Sequence, residues 1–189
     1  MRSFIAIELP EEIKKHLNRL QQELKSCGAD VKWVEPANIH LTLKFLGEID
    51  EQTRDAVAAA MQDVAAKHKG FACSLGAVGA FPRPEAPRVI WIGLDAGDNE
   101  VKDIASGLEE RLSCAGIPRE DRPFSSHITL GRTRSAVNIR LLGEKLHASA
   151  ASTLTAVAAF RVEKIYLFKS TLTPHGPIYG VIREASLQK

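Results

Sequence analysis

Apolar positions recur along the chain at strand or helix spacing, in an order that occurs twice. The run Phe4-Ile5-Ala6-Ile7-Glu8-Leu9 reads as a strand. A helix is predicted from about Pro10, because Ile13, Leu17, Leu20 and Leu24 form one stripe at helical period, and Gly28 stops it. The unit ends in a strand holding His40. A second unit opens with Val89-Ile90-Trp91-Ile92-Gly93-Leu94, passes through a helix striped by Val101, Ile104, Leu108 and Leu112 that stops near Gly116, and ends in a strand holding His127. Ile5 and Ile90 are 85 residues apart and the two histidines 87, so two extra loop residues reconcile the copies. Each histidine strand is followed by another predicted helix, over 50–69 with Asp50 as cap and Gly70 as stop, and over about 137–148. Further strands are predicted at 71–78, 156–162, 165–168 and 178–182. The pattern predicts an α+β chain of two similar halves. Strand-helix-strand order is equally compatible with a parallel sheet, which the pattern alone does not exclude.

The chemistry-bearing residues lie where the two units end, in His40-Leu41-Thr42-Leu43 and His127-Ile128-Thr129-Leu130. Successive side chains on a strand face opposite ways. Ile39, Leu41, Leu43 and Phe45 are therefore expected in the core, with His40, Thr42 and Lys44 on the other face. Ile128 and Leu130 take the inward part in the second copy, which leaves His127 beside Thr129. One His-x-Thr on a strand is ordinarily an incidental pair on the open face of a sheet. Two in equivalent places of a repeat are harder to dismiss. If the halves pack about an approximate two-fold axis with these strands at the centre, two imidazoles and two hydroxyls meet in one cleft. Such a set suits phosphoryl chemistry: one imidazole takes a proton from attacking water, the other gives one to the leaving oxygen, and the hydroxyls donate to nonbridging oxygens. An imidazole pKa near 6.5 permits both roles at neutral pH.

Composition narrows the class without naming a partner. A length of 189 residues and 44% hydrophobic content fit one domain spanning 1–189, of two lobes. A charged fraction of 25% and a net charge of +2 describe an ordinary surface. Local charge says more, since residues 111–145 hold seven basic side chains against three acidic ones around the second tetrad. That excess reads as a solvated face or as a phosphate-attracting rim. Cys27, Cys73 and Cys114 are odd in number and widely spaced, which argues against a disulfide framework and for a reducing cytosol. The apolar run at the N-terminus is too short for a signal-peptide core or a membrane span and carries Glu8, so it is expected to be the first strand. HExxH, paired CxxC, HxH, GxSxG and GxxxxGK motifs are all absent, which disfavours zinc, serine-nucleophile and P-loop chemistry.

On these residues the chain resembles the two-histidine phosphoesterase superfamily, most specifically the bacterial and archaeal RNA 2′,3′-cyclic phosphodiesterases, also known as 2′-5′ RNA ligases. The resemblance covers nearly the whole chain. It rests on Arg2-Ser3-Phe4-Ile5-Ala6-Ile7, on 33–47 with HLTLKFLG, on 124–132 with HITLGR, and on 167–179 with Ser170, Leu172, Gly176 and Tyr179. It implies two pseudo-symmetric lobes of mainly antiparallel sheet with outer helices, and a central cleft lined by the two tetrad strands. It also implies metal-independent hydrolysis, without cofactor, of a terminal 2′,3′-cyclic phosphate to a 2′-phosphomonoester, with reversible 2′-5′ ligation at the same site. Matched residue by residue, His40 would be the proton donor, His127 the proton acceptor, and Thr42 and Thr129 the phosphate ligands. Arg132 matches a family arginine that helps hold the phosphate. Strict alternation from His127 would turn it to the opposite face unless Gly131 breaks the pattern through a bulge or the strand's end, and a surface arginine is the competing reading.

Other residues are open to two readings. Lys44 shares the cleft-facing parity of His40 but reads as a solvated lysine at the strand end. Trp33, Phe81 and Phe124 are candidates for stacking a base, with core packing the favoured reading. His16 and His68 in helices, His147 near a helix end and His175 after Pro174 are expected to be solvated. The expected partners are RNA ends or nucleotides bearing a 2′,3′-cyclic phosphate, met by a cytoplasmic monomer that does not engage a membrane. Two alternatives remain: an esterase of the same superfamily acting on a small cyclic nucleotide or an ADP-ribose-type cyclic phosphate, and a noncatalytic RNA-end binder. Binding alone would not require both imidazoles, which disfavours the latter.

Overall fold

Both apolar stripes read from the sequence are buried helix faces. The structure, a computed structural model, describes residues 1–150, 159–174 and 176–189. The chain runs β1 (Arg2–Glu8), α1 (Glu11–Lys25), β2 (Val31–Trp33), a short 3-10 turn (Pro36–Asn38), β3 (His40–Glu48), α2 (Glu51–Ala65), β4 (Phe71–Phe81) and β5 (Val89–Leu94). It continues through α3 (Asp98–Cys114), β6 (Ile128–Thr133), α4 (Ile139–Ala150), β7 (Ala159–Val162), β8 (Lys164–Thr173) and β9 (Gly176–Ser186). Ile13, Leu17, Leu20 and Leu24 of α1 are buried, as are Val101, Ile104, Leu108 and Leu112 of α3. Gly28 at φ 68° and Gly116 at φ 81° take the left-handed conformation that lets the chain leave each helix. Asp50 caps α2 by accepting from Thr53 N, but α2 ends at Ala65, short of the expected 69, so His68 lies beyond it. The predicted strand over 156–162 survives as β7, its first three residues lying outside the described ones.

The strands lie in the order β7-β4-β5-β6-β3-β1-β8-β9, with β2 on β6. Every pair of neighbouring strands is antiparallel, which removes the parallel alternative. Between α1 and β3 the chain passes through β2 and the 3-10 turn. β2 and β3 both run antiparallel to β6, so they point the same way along one side of it, and β3 is antiparallel to β1. The order is palindromic about its centre: β8-β1-β3 and β4-β5-β6 are counterparts that meet at β3 and β6, with β8 reached only after the second unit and β4 placed between the two units along the chain. Ile5, Ile7, Leu41, Ile90, Ile92 and Ile128 pack with the helices in the main core. On β1 the alternate residues Phe4 and Ala6 face the other way, into a small cluster with Phe168 flanked by Tyr166 and Tyr179.

Two bulges decide what this second face carries. Ala6 pairs with Thr42 and Ile5 with Lys44, so Leu43 is an extra residue in β3. Trp91 pairs with Thr129 and Ile90 with Gly131, so Leu130 is the extra residue in β6. Both stand at the fourth position of a tetrad, and each reverses the alternation after it. Lys44 therefore follows Ile5 onto the helix face, where it is only 3% exposed, bonded to Glu109 Oε1 at 2.7 Å and donating to Pro118 O at 2.8 Å. The expectation of a solvated lysine is wrong for this reason. Phe45, expected in the core, follows Phe4 instead and is 61% exposed. In β6 the same slip brings Arg132 back to the face of Thr129. Gly131 makes this possible, because a Cβ there would lie 2.7 Å from Val31 Cγ1. The buried Gln21 fastens the bulge by donating to Leu130 O at 2.9 Å and Val34 O at 2.8 Å.

Candidate active site

Each imidazole is oriented by the backbone just before it. His40 opens β3 after the 3-10 turn, with its Nδ1 2.7 Å from Asn38 O. His127 stands one residue before β6 rather than inside a strand as expected, with its Nδ1 2.8 Å from Ser125 O. A carbonyl oxygen only accepts, so both Nδ1 atoms carry hydrogen and both Nε2 atoms are left to exchange a proton. Aromatic rings hold the orientation. Phe4 stacks on His40 at 4.7 Å and Tyr179 meets its edge at 5.3 Å. Phe81 meets His127 edge-on, also at 5.3 Å.

Leu41 pairs with Ile128 across the junction of the two units. Continuing this antiparallel register by one residue each way sets His40 across from Thr129, and Thr42 across from His127. The two histidines are then diagonal neighbours, a relation that puts Cα atoms about 7–8 Å apart. Neither Thr42 nor Thr129 has a hydrogen-bond partner for its hydroxyl among the described residues, and both are half-buried. Arg132 lies on the same face. Burial raises the Tyr179 phenol pKa against the opposing pull of Arg2 and Arg132. The hairpin of β8 and β9 runs past β1 and returns over the cleft, where Asn38 Nδ2 donates to Pro177 O at 2.8 Å.

Burial lowers the pKa of His40, the Asn38 carbonyl opposes that shift, and the charge of Lys14 adds to it. Of the aromatic candidates, Trp33 packs against the core with Lys25 over its ring at 5.9 Å, and Phe124 is likewise partly buried against the core. Phe81 alone of the three touches a site imidazole. Sequence reasoning missed Phe4, Phe45 and Tyr179 as cleft residues. The parity of Phe4, opposite to Ile5 and Ile7, was the one available signal. His16 lies half-buried in α1, His68 bonds through Nδ1 to Val64 O at 2.9 Å, and His147 pairs with Glu85 at 2.9 Å. His175 falls outside the described residues. Among the described residues no three His, Cys, Asp or Glu side chains are grouped to hold a metal ion, and no helix is long and apolar enough to cross a membrane.

The family described as LigT like phosphoesterase matches the chain twice in succession, over 7–91 and 92–179. The chain belongs to this family. In this LigT-like chain the boundary between the two matches falls within β5, the strand that opens the second unit. A protein of Methanocaldococcus jannaschii named RNA 2′,3′-cyclic phosphodiesterase is 36% identical over 184 residues, covering 97% of this chain and 99% of the relative. Among solved structures, TT0787 of Thermus thermophilus is 30% identical with a TM-score of 0.80 over 100% of this chain and 98% of that one. Escherichia coli LigT complexed with 3′-AMP is 25% identical with a TM-score of 0.79 at the same coverage. This LigT-like phosphoesterase thus shares with those chains an α+β fold of two antiparallel lobes.

Proposed function

We propose that this protein hydrolyses the 2′,3′-cyclic phosphate at the end of an RNA to a 2′-phosphomonoester, by acid-base catalysis of two histidines without a metal. One observation supports the reading: two imidazoles, each with Nδ1 held by the carbonyl two residues upstream, stand on neighbouring strands beside two threonine hydroxyls that have no hydrogen-bond partner among the described residues. His127 Nε2 takes the proton of an in-line water, and the P–O3′ bond breaks as His40 Nε2–H protonates O3′. Thr42 and Thr129 donate to the nonbridging oxygens, and Arg132 adds a guanidinium at the His40 end. The assignment of donor and acceptor follows the resemblance. Burial disfavours the charged form of His40, and an anionic phosphate beside it would oppose that shift and favour the protonated imidazole. With a 5′-hydroxyl in place of water, the same steps join a cyclic end to it through a 2′-5′ bond. The name of the Methanocaldococcus relative and the 3′-AMP complex of Escherichia coli LigT support this substrate class. Cys27, Cys73 and Cys114 are free thiols, which supports a cytoplasmic setting.

The test is to incubate an RNA ending in 2′,3′-cyclic phosphate with the protein in EDTA and identify the product by phosphorus NMR. A 2′-phosphate should form, and His40→Ala or His127→Ala should each cost roughly a hundred- to ten-thousandfold in rate. Full activity of either variant, or abolition by EDTA, refutes the mechanism. A 3′-phosphate product would reverse the orientation only.

A further inference from the structure

A groove of about 430 Å³ opens from the cleft on the side of His127 and Thr42. Phe45 and Phe124 line it, and Arg119 and Arg122 are exposed at its margin. The Leu43 bulge shaped it twice, by turning Phe45 outward into the groove and by drawing Lys44 inward beneath it. Its other charges are already paired. Lys44 lies 2.7 Å from Glu109 and 3.8 Å from Glu120, and Lys102 lies 2.6 Å from Asp98. Arg119 and Arg122 form no ion pair among the described residues, so the groove's open charge is positive.

In-line displacement puts the entering and leaving oxygens on opposite sides of phosphorus. The ribose that carries the cyclic phosphate stays on the His40 side, beside Phe4 and Tyr179. The His127 side receives the nucleophile and whatever is attached to it. A water occupies only about 30 Å³, whereas the groove falls within the range of about 300–1,000 Å³ typical of sites for small organic ligands.

We propose that the groove is the subsite for a second nucleoside: the 5′-terminal nucleoside of an RNA whose 5′-hydroxyl replaces water as nucleophile. This rests on the function proposed above, with His127 as the base. Its base stacks on Phe45, and the phosphates that follow it lie against Arg119 and Arg122. His127 Nε2 takes the O5′ proton, the P–O5′ bond forms, the P–O3′ bond breaks, and His40 Nε2–H protonates O3′. No co-reactant is consumed. In reverse, the groove holds the nucleoside that departs from a 2′-5′ diester.

The experiment lets water and an acceptor compete for one cyclic end. Full-length protein is given an RNA ending in 2′,3′-cyclic phosphate and an excess of a 5′-hydroxyl oligonucleotide, and initial 2′-5′ joined product is divided by initial 2′-phosphate product. This ratio compares two fates on the same folded molecules, so partial unfolding of a variant cancels. In the double variant Arg119→Ala/Arg122→Ala, and separately in Phe45→Ala, the ratio should fall roughly tenfold. Joining by the wild type should also weaken with salt more steeply than hydrolysis does, and the double variant should lose that difference. A ratio unchanged in both variants overturns the subsite. So does a wild type that hydrolyses the end but never joins the acceptor. A wild type that makes neither product overturns the proposed function itself.

Discussion

Replacing Lys44 with methionine removes a charge that strand alternation would leave in water and that the bulge at Leu43 buries. Lys44 Nζ donates to Pro118 O at 2.8 Å and lies 2.7 Å from Glu109 Oε1. The charge-assisted bond to the carbonyl contributes about 1.5–3 kcal/mol. Breaking a fully buried ion pair from one side costs about 3–5 kcal/mol. The Glu109 side chain is 23% exposed and can rehydrate, which cuts that loss; about 1–2 kcal/mol is left for it. Methionine keeps the apolar packing of the lysine stem, so the expected destabilisation is about 2.5–5 kcal/mol. Urea unfolding of the wild type, Lys44→Met and Lys44→Met/Glu109→Gln measures it. The double variant no longer strands a carboxylate and should recover about 1–2 kcal/mol of the loss. A single-variant loss under about 0.5 kcal/mol, the usual scale of a surface substitution, would refute the burial of Lys44 and with it the bulge.

Two further outcomes follow from the site. Thr42→Ala and Thr129→Ala should each lower catalytic efficiency by roughly ten- to a hundredfold, as loss of a bond to a charged oxygen does, and serine should restore much of it; Thr→Ser variants as poor as Thr→Ala would make the methyl, not the hydroxyl, the important group. Burial lowers the pKa of His40 below 6.5, so as pH falls the unfolded chain takes up this proton before the folded one. His40 therefore contributes stability that is complete above its unfolded pKa and is lost as pH drops from there through its folded pKa. His40→Gln should flatten that part of the urea-midpoint profile, and identical wild-type and variant profiles would contradict the burial argument.

Much of this was legible in the sequence because apolar periodicity and core facing coincide over long stretches. The stripes of α1 and α3 left one solution each, and the doubled tetrads marked the centre of the sheet. Alternation then failed at Leu43 and Leu130. An extra strand residue that is itself a leucine leaves no mark in a hydrophobic pattern, so HLTLKF reads as unbroken alternation although Lys44 and Phe45 have exchanged faces. Gly131 was a visible hint in the second copy, and it placed Arg132 correctly as a conditional reading. Phe4 was hidden in a run buried on both faces of β1. Tyr179 reaches His40 only because a hairpin far along the chain folds back over the cleft, a long-range contact that local pattern does not encode. β2, at three residues, is too short to be read as a strand.

A two-fold axis through a catalytic centre offers either side of a phosphorus atom the same imidazole and the same hydroxyl. A perfectly duplicated site would accept a cyclic phosphate turned end for end and would release O2′ and O3′ equally often. Here the copies diverge where each bulge returns a residue to the cleft: Arg132 in one, Phe45 in the other. A preference of 99 to 1 between the two orientations needs only about 2.7 kcal/mol, on the order of a single well-placed guanidinium contact to an anion. The handedness of the reaction would then reside not in the duplicated machinery but in the pair of positions where the duplicates stopped matching, and exchanging Phe45 and Arg132 would be the shortest route to an enzyme that leaves the phosphate on the other oxygen.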